Sequence, residues 1–212
     1  MGNAPGVSDD VRGARSIHLP RPTQARGAAR VERLLDAAAD LVAEHGANGF
    51  AFRAVAQRAR TAQGSLYQFF PNREAILLVL RERYARRLLG TAVELRQALD
   101  ARGEFDAATL AHEIVDRFAP FYRGNPAYRE LRRRPNARED AIEEDLDACL
   151  AEMLAELVLR ARPTLSRTVA MTAAQTIVEI ADALLSRAAD DERWRREAAR
   201  AIEGYLREAG PR

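Results

Sequence analysis

The chain contains no lysine, and all 33 of its basic side chains are arginines. Cysteine is almost absent: Cys149 stands alone, which excludes an internal disulfide and any multi-cysteine metal site. No apolar run reaches the roughly 20 residues that a membrane-spanning helix requires. The first residues hold no apolar stretch long enough for a secretory signal. We therefore expect a cytoplasmic protein with no membrane partner.

Charge is distributed unevenly along the 212 residues. Residues 1–90 hold 14 arginines against 8 acidic residues, whereas residues 91–212 hold 19 against 23. A basic front half is typical of a segment that meets a polyanion, although an uneven charge alone is a weak indicator.

Apolar periodicity predicts helices almost throughout, and no segment shows the alternation of a strand. Gly46 suits the C-terminal cap of a first helix, Pro71 ends a third, and Asn72 can cap a fourth. The fold class is therefore all-α, with about nine helices. We predict them at residues 29–45, 50–59, 62–69, 73–89, 106–122, 127–134, 137–161, 165–189 and 191–209.

The stretch TAQGSLYQFFPNREA, residues 61–75, has a surface that packing alone does not explain. Leu66, Phe69 and Phe70 are spaced to face a core, whereas Gln63 and Tyr67 share another side that carries no charge. Two short helices joined by a tight turn and supported by a longer one form a helix-turn-helix, whose second helix enters a major groove. Glutamine amides can pair with adenine, and hydroxyls can reach phosphates. The pattern predicts double-stranded DNA as a partner.

Residues 30–80 resemble the DNA-binding domain of the TetR/AcrR family of transcriptional repressors. The resemblance rests on the motifs LLDAAADLVAEHG and GSLYQFFPNREA and on the distance between them. It implies an N-terminal three-helix DNA-binding domain followed by a helical ligand-binding and dimerisation domain. The DNA-binding residues that it implies are Arg53, Gln63, Gly64, Ser65, Tyr67, Gln68 and Arg73.

Three positions depart from the family pattern. Arg60 stands where a turn glycine is usual, and Ala62 replaces a capping Ser or Glu, with Thr61 as a partial substitute for the cap. Phe52 occupies the position of a common threonine, which removes one phosphate contact and offers a surface for a thymine methyl. We expect a recognition helix that is less rigid than in most relatives.

The predicted organisation has three parts. Residues 1–27 form a flexible arm without assigned role, or one whose Arg21, Arg26 and neighbouring Arg30 reach DNA. Residues 28–73 form the helix-turn-helix domain, and residues 74–212 form the second domain.

The second domain contains two apolar sets that are each consistent with plain core. The first set, on the middle helices, could instead enclose a small-molecule pocket; its residues are Phe118, Phe121, Tyr122, Met153, Leu157 and Met171. Taken as a homodimer interface, which the resemblance implies, the last two helices contribute Ile177, Ile180, Leu184, Trp194, Ala198, Ala201 and Tyr205. The resemblance further implies that a small apolar effector moves the fourth helix and so releases a pseudo-palindromic operator.

Two other classes of function remain open at this stage. The sequence gives no support for an enzyme, because the three histidines are dispersed and no catalytic, cofactor-binding or metal-binding motif is present. His112 and Asp116 could share a metal, but ordinary hydrogen bonds explain them better. A helical small-molecule-binding protein that has lost sequence-specific DNA binding is the second alternative. The triplet Arg132 to Arg134 is interpreted as a solvated face or loop.

Overall fold

The computed structural model describes residues 25–132, 137–188 and 191–210. Most of the predicted N-terminal arm, including Arg21, lies outside these ranges. Within them the chain is all-α, with helices α1 Ala25–His45, α2 Phe52–Arg58, α3 Gln63–Phe69, α4 Arg73–Arg102, α5 Ala107–Gly124, α6 Pro126–Arg132, α7 Ala137–Ala161, α8 Arg167–Ala188 and α9 Glu192–Glu208.

Local signals set most of the helix ends. Gly46 follows α1 with φ of 75°, a conformation that costs glycine nothing. Asn72 accepts a 2.8 Å hydrogen bond from the amide of Ala75, and Asp106 accepts one of 2.8 Å from the amide of Thr109. These caps satisfy amides that the first turn of a helix leaves without intrahelical partners. The predicted cap roles of Gly46 and Asn72 are confirmed.

Two predicted boundaries are wrong. The first helix begins at Ala25 rather than near residue 29, so the last three residues of the predicted arm are helical. The fourth helix does not end near Leu89 but continues through Gly90 to Arg102. A glycine within a helix costs about 1 kcal/mol. Burial of Ala92, Leu95 and Leu99 on the far side of it stabilises the longer helix by more than that.

The helices form two connected groups around one continuous core. Helices α1, α2 and α3 pack together at one end, and α4 runs from them into a group in which α7 packs against α8, and α9 packs against α5 and α8. Helix α6 contacts both α1 and α4. The short helix α6 therefore joins the two groups.

Helix α8 is unusually apolar. Residues Arg167–Arg187 have the length and mean hydropathy, 1.3, of a membrane span, the single such stretch in the part of the chain described. However, α8 packs against α7 and α9 and buries Ala170, Ala174 and Ile177 there. Its hydropathy is explained by one face that meets the core and another that is only partly covered.

Candidate nucleic-acid interface and internal cavity

The turn between α2 and α3 is closed by backbone hydrogen bonds around Arg60. The amide of Arg60 donates to the carbonyl of Gln57 over 3.1 Å, and the amide of Thr61 donates to that of Ala56 over 3.0 Å. This pair of bonds defines a Schellman motif, in which the residue at the position of Arg60 adopts a left-handed conformation. Arg60 does so with φ of 50°, alone among the non-glycine residues described. The turn therefore keeps its usual geometry at a steric cost to the arginine.

Helix α3 begins without a side-chain cap. Ala62 occupies the N-cap position and forms no side-chain hydrogen bond, so Thr61 does not replace the missing cap. The carbonyl of Ala62 still accepts from the amide of Ser65 over 3.0 Å. The predicted loss of a cap is confirmed, which makes the first turn of α3 easier to fray.

Helix α3 presents two opposite sides. Leu66 and the following Phe70 are buried in the core. Tyr67 is 54% exposed, the one large hydrophobic residue in the described ranges with such exposure. We refer to the outer side as the α3 face; its residues are Gln63, Gly64, Ser65, Tyr67 and Gln68, of which Ser65 is half-buried and the others are exposed.

The ring of Phe52 supports Tyr67. The two ring centroids lie 5.4 Å apart with an angle of 82° between planes, which is an edge-to-face contact. Such contacts stabilise an aromatic pair by about 0.5–1.5 kcal/mol beyond burial. Phe52 is half-buried and belongs to α2, so it holds Tyr67 from the neighbouring helix. The expected surface for a thymine methyl is thus partly occupied by Tyr67.

The two arginines predicted to contact DNA differ in their surroundings. Arg53 is exposed near the start of α2. The guanidinium of Arg73 instead donates to the carbonyl of Asn48 over 3.2 Å and lies 3.6 Å from the carboxylate of Glu74. Arg73 therefore links the loop before α2 to the start of α4, a structural role that the sequence did not indicate.

An ion pair fixes α2 against α1. The guanidinium of Arg58 donates to both carboxylate oxygens of Glu44, over 2.8 and 2.7 Å. Hydrogen bonding from Arg58 lowers the pKa of Glu44. No local sequence pattern indicates this pair, because the two residues lie 14 positions apart on different helices.

A cavity of about 30 Å³ lies among α4, α5, α6, α7 and α8. One wall is apolar and consists of Leu88, Ile114, Phe118, Leu150, Leu154, Ile177, Val178 and Ala181. A volume of this size holds only a few water molecules, so a larger ligand requires the helices to separate.

The other wall of the cavity is a group of polar side chains that we call the polar cluster: Tyr122, Tyr128, Arg132, Asp147 and Asp182. Arg132 lies 3.2 Å from Asp147 and 3.4 Å from Asp182. The hydroxyl of Tyr122 donates to Asp182 over 2.9 Å. These bonds join α5, α6, α7 and α8 through one charged group.

Burial changes the protonation of the polar cluster. It raises the pKa of Tyr122 well above the ordinary value, and the charge of Asp182 raises it further. Burial also raises the pKa of Tyr128, against the effect of Arg132. For Arg132 burial acts against the charged form, but Tyr128 and the two carboxylates outweigh it and raise the pKa. Both phenols therefore stay neutral, with Tyr122 donating to Asp182, and Arg132 stays charged.

Both groups of helices match known protein families. Residues 34–80 match the family described as bacterial regulatory proteins, tetR family. Residues 106–206 match the tetracyclin repressor-like C-terminal domain. The chain belongs to the TetR family. Members of this family are DNA-binding transcriptional regulators and not enzymes, which excludes the enzyme alternative.

Solved structures of TetR-family regulators share the fold. One from Streptomyces coelicolor is 26% identical, with a TM-score of 0.60, over 85% of this chain and 99% of its own. One from Agrobacterium tumefaciens is 13% identical, with a TM-score of 0.65, over 84% and 97%. One from Rhodococcus RHA1 is 17% identical, with a TM-score of 0.65, over 86% and 98%. Among curated proteins, none matches the chain significantly.

The cavity of this TetR-family chain coincides only in part with the predicted pocket. Phe118 and Tyr122 line it. Phe121, Met153, Leu157 and Met171 lie outside its lining. The ring of Phe121 instead forms an edge-to-face contact with that of Tyr84, with centroids 6.1 Å apart. Arg132 was wrongly assigned to a solvated face, since its side chain is only 16% exposed. No sequence signal connects it to Asp147 and Asp182, which lie on other helices.

The predicted dimerisation residues separate into two sets. Ile177 and Ala198 are fully buried within the chain, so the prediction is wrong for them: a second copy cannot contact them. Ala201 is exposed, and the others are half-buried: Ile180, Leu184, Trp194 and Tyr205. The hydroxyl of Tyr205 donates to Thr176 over 3.2 Å, which places that part of α9 beside α8.

His112 and Asp116 do not form a metal site. The Nδ1 atom of His112 lies 2.8 Å from the carbonyl of Ala108 in its own helix. Asp116 accepts a 2.8 Å hydrogen bond from Arg195. No group of three potential metal ligands occurs in the residues that the structure describes.

Proposed function

We propose that this TetR-family chain is a ligand-responsive repressor that binds a pseudo-palindromic operator as a homodimer. The observation that carries the proposal is the α3 face, where Tyr67 stands exposed between Gln63 and Gln68 while Leu66 is buried behind it. Such a surface supplies amides for base edges and hydroxyls for phosphates. Its lack of charge favours groups that read bases over groups that only attract the backbone.

Other residues around the α3 face support the same proposal. Arg53 is exposed on α2 and serves a base or a phosphate. Arg73, at the first residue of α4, serves a phosphate while its bond to Asn48 holds the side chain in place. Exposed Gly64 has no atom within 4 Å of the position that a Cβ would take, so its open surface lets a DNA backbone approach closely.

A homodimer is proposed through the outer sides of α8 and α9. Ile180, Leu184 and Tyr205 are incompletely covered within one chain, and Ala201 and Gly204 add small exposed positions beside them. Small residues permit close helix contact, and partly covered apolar groups favour association. Twofold symmetry matches two recognition helices to half-sites about 34–36 Å apart.

We propose that DNA is released when a ligand in the cavity causes a structural change that is transmitted to α4. Helix α6 carries Tyr128 and Arg132 of the polar cluster, and the carbonyl of Leu131 on α6 accepts a 2.5 Å hydrogen bond from Arg81 on α4. Arg83 on α4 is bonded to Asp36 on α1 over 2.6 Å. A ligand that separates the helices around the cavity therefore acts on the supports of the helix-turn-helix. It shifts the equilibrium only if it prefers the separated state.

The test is selection of genomic fragments by the purified protein at near-physiological salt, followed by sequencing of the bound DNA. We expect enrichment of one pseudo-palindrome, because non-specific phosphate binding weakens as salt rises. Absence of enrichment from a folded dimer would favour the alternative, a ligand-binding protein without operator recognition. The strained Arg60 and the uncapped α3 are the features that support this alternative.

Substitution of the α3 face tests its role on the recovered sequence. Gln63→Ala should weaken operator binding about tenfold, since a good bidentate base contact contributes about 1–3 kcal/mol. Tyr67→Ala should weaken it by loss of a phosphate contact. Gln97→Ala, an exposed glutamine on α4, is the matched control. Electrophoretic mobility shifts measure the affinity. Equal affinity of all three variants and the wild type would contradict the proposed interface.

A further inference from the structure

The lining of the internal cavity carries unbalanced negative charge. Two carboxylates, Asp147 and Asp182, share the single guanidinium of Arg132 at 3.2 and 3.4 Å. The remaining lining residues are apolar or neutral. Among the described lining residues, negative charge therefore exceeds positive charge by one, and the two carboxylates are largely covered, with side chains 30% and 23% exposed. An unpaired charge in such surroundings is unfavourable.

Aromatic side chains line the same space. Phe118, Tyr122 and Tyr128 all line the cavity. The faces of such rings attract cations, most strongly where water is excluded. An organic ammonium ion binds to groups of this kind, which are aromatic rings, neutral phenols and nearby carboxylates.

An anionic ligand is poorly suited to this cavity. Arg132, the one cation among the described residues of the lining, is already engaged by both carboxylates. An incoming carboxylate or phosphate would have to displace one of them and remain close to both negative charges. Like charges at such distances oppose binding.

We propose that the effector of this protein is an organic cation, with an apolar body against Phe118 and Leu154 and one ammonium-like centre beside Asp147 and Asp182. The inference rests on the proposed function, in which occupation of the cavity releases DNA. The cation balances the charge of the polar cluster, and its apolar body exceeds the present volume of about 30 Å³. Binding therefore couples charge neutralisation to separation of the helices.

The test compares three aromatic probes of similar size by isothermal titration calorimetry near neutral pH. They are benzyltrimethylammonium, its uncharged isostere neopentylbenzene, and 3-phenylpropionate. We expect the cation to bind at least about tenfold more tightly than the isostere, and the anion to bind most weakly. The proposal is overturned if the isostere binds as tightly as the cation, if the anion binds best, or if none of the three binds.

Variants locate the site. Asp147→Asn and Asp182→Asn should each weaken binding of benzyltrimethylammonium about tenfold and leave that of neopentylbenzene unchanged, because the amide keeps the shape and removes the charge. Asp116→Asn, an exposed carboxylate outside the cavity lining, is the matched control. If both cavity variants retain wild-type affinity for the cation while circular dichroism shows them folded, the assignment is wrong.

The experiment separates this inference from the proposed function. Operator binding is measured on the same preparations without any probe. A protein that binds the operator but shows no preference for the cation refutes the effector class and leaves the repressor proposal standing. A protein that prefers the cation but binds no operator supports the cavity assignment and refutes the repressor proposal.

Discussion

At the residue scale, three positions around the recognition helix hold a residue type that is unusual for its place in the structure. Arg60 occupies a left-handed conformation, Phe52 places an aromatic ring against Tyr67, and Ala62 begins α3 without a cap. Each was visible in the sequence as an unusual residue type. For Arg60 and Ala62 the residue type alone predicts the outcome, a strained turn and a missing cap, because both features depend on local backbone geometry. The role of Phe52 depends instead on its contact with Tyr67 on α3.

Arg60→Gly should stabilise the protein. Glycine removes the steric cost of the left-handed conformation, about 1–2 kcal/mol, although its greater freedom in the unfolded chain offsets part of this. We expect a net gain of about 0.5–1 kcal/mol in the free energy of unfolding, measured by urea denaturation. Arg60→Ala serves as the control, because it removes the charge and keeps the Cβ. An equal gain in the alanine variant would attribute the effect to charge instead of strain.

Gly64→Ala should strengthen the fold and weaken operator binding. The position is helical and open, so alanine gains up to about 1 kcal/mol of helix stability. The new methyl group also holds the DNA backbone away from the α3 face. Thermal unfolding and mobility shifts measure the two effects separately. Gly90→Ala, equally open and helical but on α4, is expected to stabilise without any change in DNA affinity. Unchanged affinity in Gly64→Ala would place Gly64 outside the interface.

At the element scale, the continuity of α4 decides how the two groups of helices are connected. Its first half contacts α1 through Arg83 and α6 through Arg81, and its second half buries Leu95 and Leu99. Leu88, also in the first half, lines the cavity, so this half alone connects the cavity to α1 and α6. The second half anchors the helix in the second group by burial of Leu95 and Leu99.

Gly90→Pro tests that continuity. Proline removes an intrahelical hydrogen bond and clashes with the preceding turn, at a cost of about 3 kcal/mol or more in a helix interior. We expect a loss of that size in the free energy of unfolding, measured by urea denaturation. A loss below about 1 kcal/mol would show that the chain already breaks near residue 90.

At the scale of the whole molecule, the proposed function requires a second copy of the chain. The outer sides of α8 and α9 keep Ile180, Leu184 and Tyr205 only partly covered, although α8 is apolar enough to resemble a membrane span. A partner chain that covers this surface accounts for that composition. The same contact would set the distance between the two α3 faces.

Charge introduced on this surface should prevent dimerisation. Ala183→Glu combined with Ala201→Glu places two carboxylates at exposed positions, so the protomer fold is retained while the interface is disrupted. Analytical ultracentrifugation should then give the 23.5 kDa mass of one chain, with operator affinity reduced at least tenfold. Ala101→Glu, exposed at the end of α4, is the control. A dimer that persists in the double variant would place the interface elsewhere.

The sequence by itself determined the features that depend on neighbours in the chain. Caps at Gly46 and Asn72, the two sides of α3, and the all-α class follow from local backbone geometry and a period of 3.6 residues. The family motifs lie in the same short segment, which is why α3 and its exposed side could be predicted while most of the cavity lining could not.

Tertiary structure alone decided the features that depend on which helices meet. Burial past Gly90 lengthened α4, packing within one chain enclosed Ile177, and three separate helices brought Arg132 to Asp147 and Asp182. Each outcome depends on contacts between residues far apart in sequence. An amphipathic pattern specifies that a face is buried, but the packing of whole helices determines what buries it and which polar groups are enclosed with it.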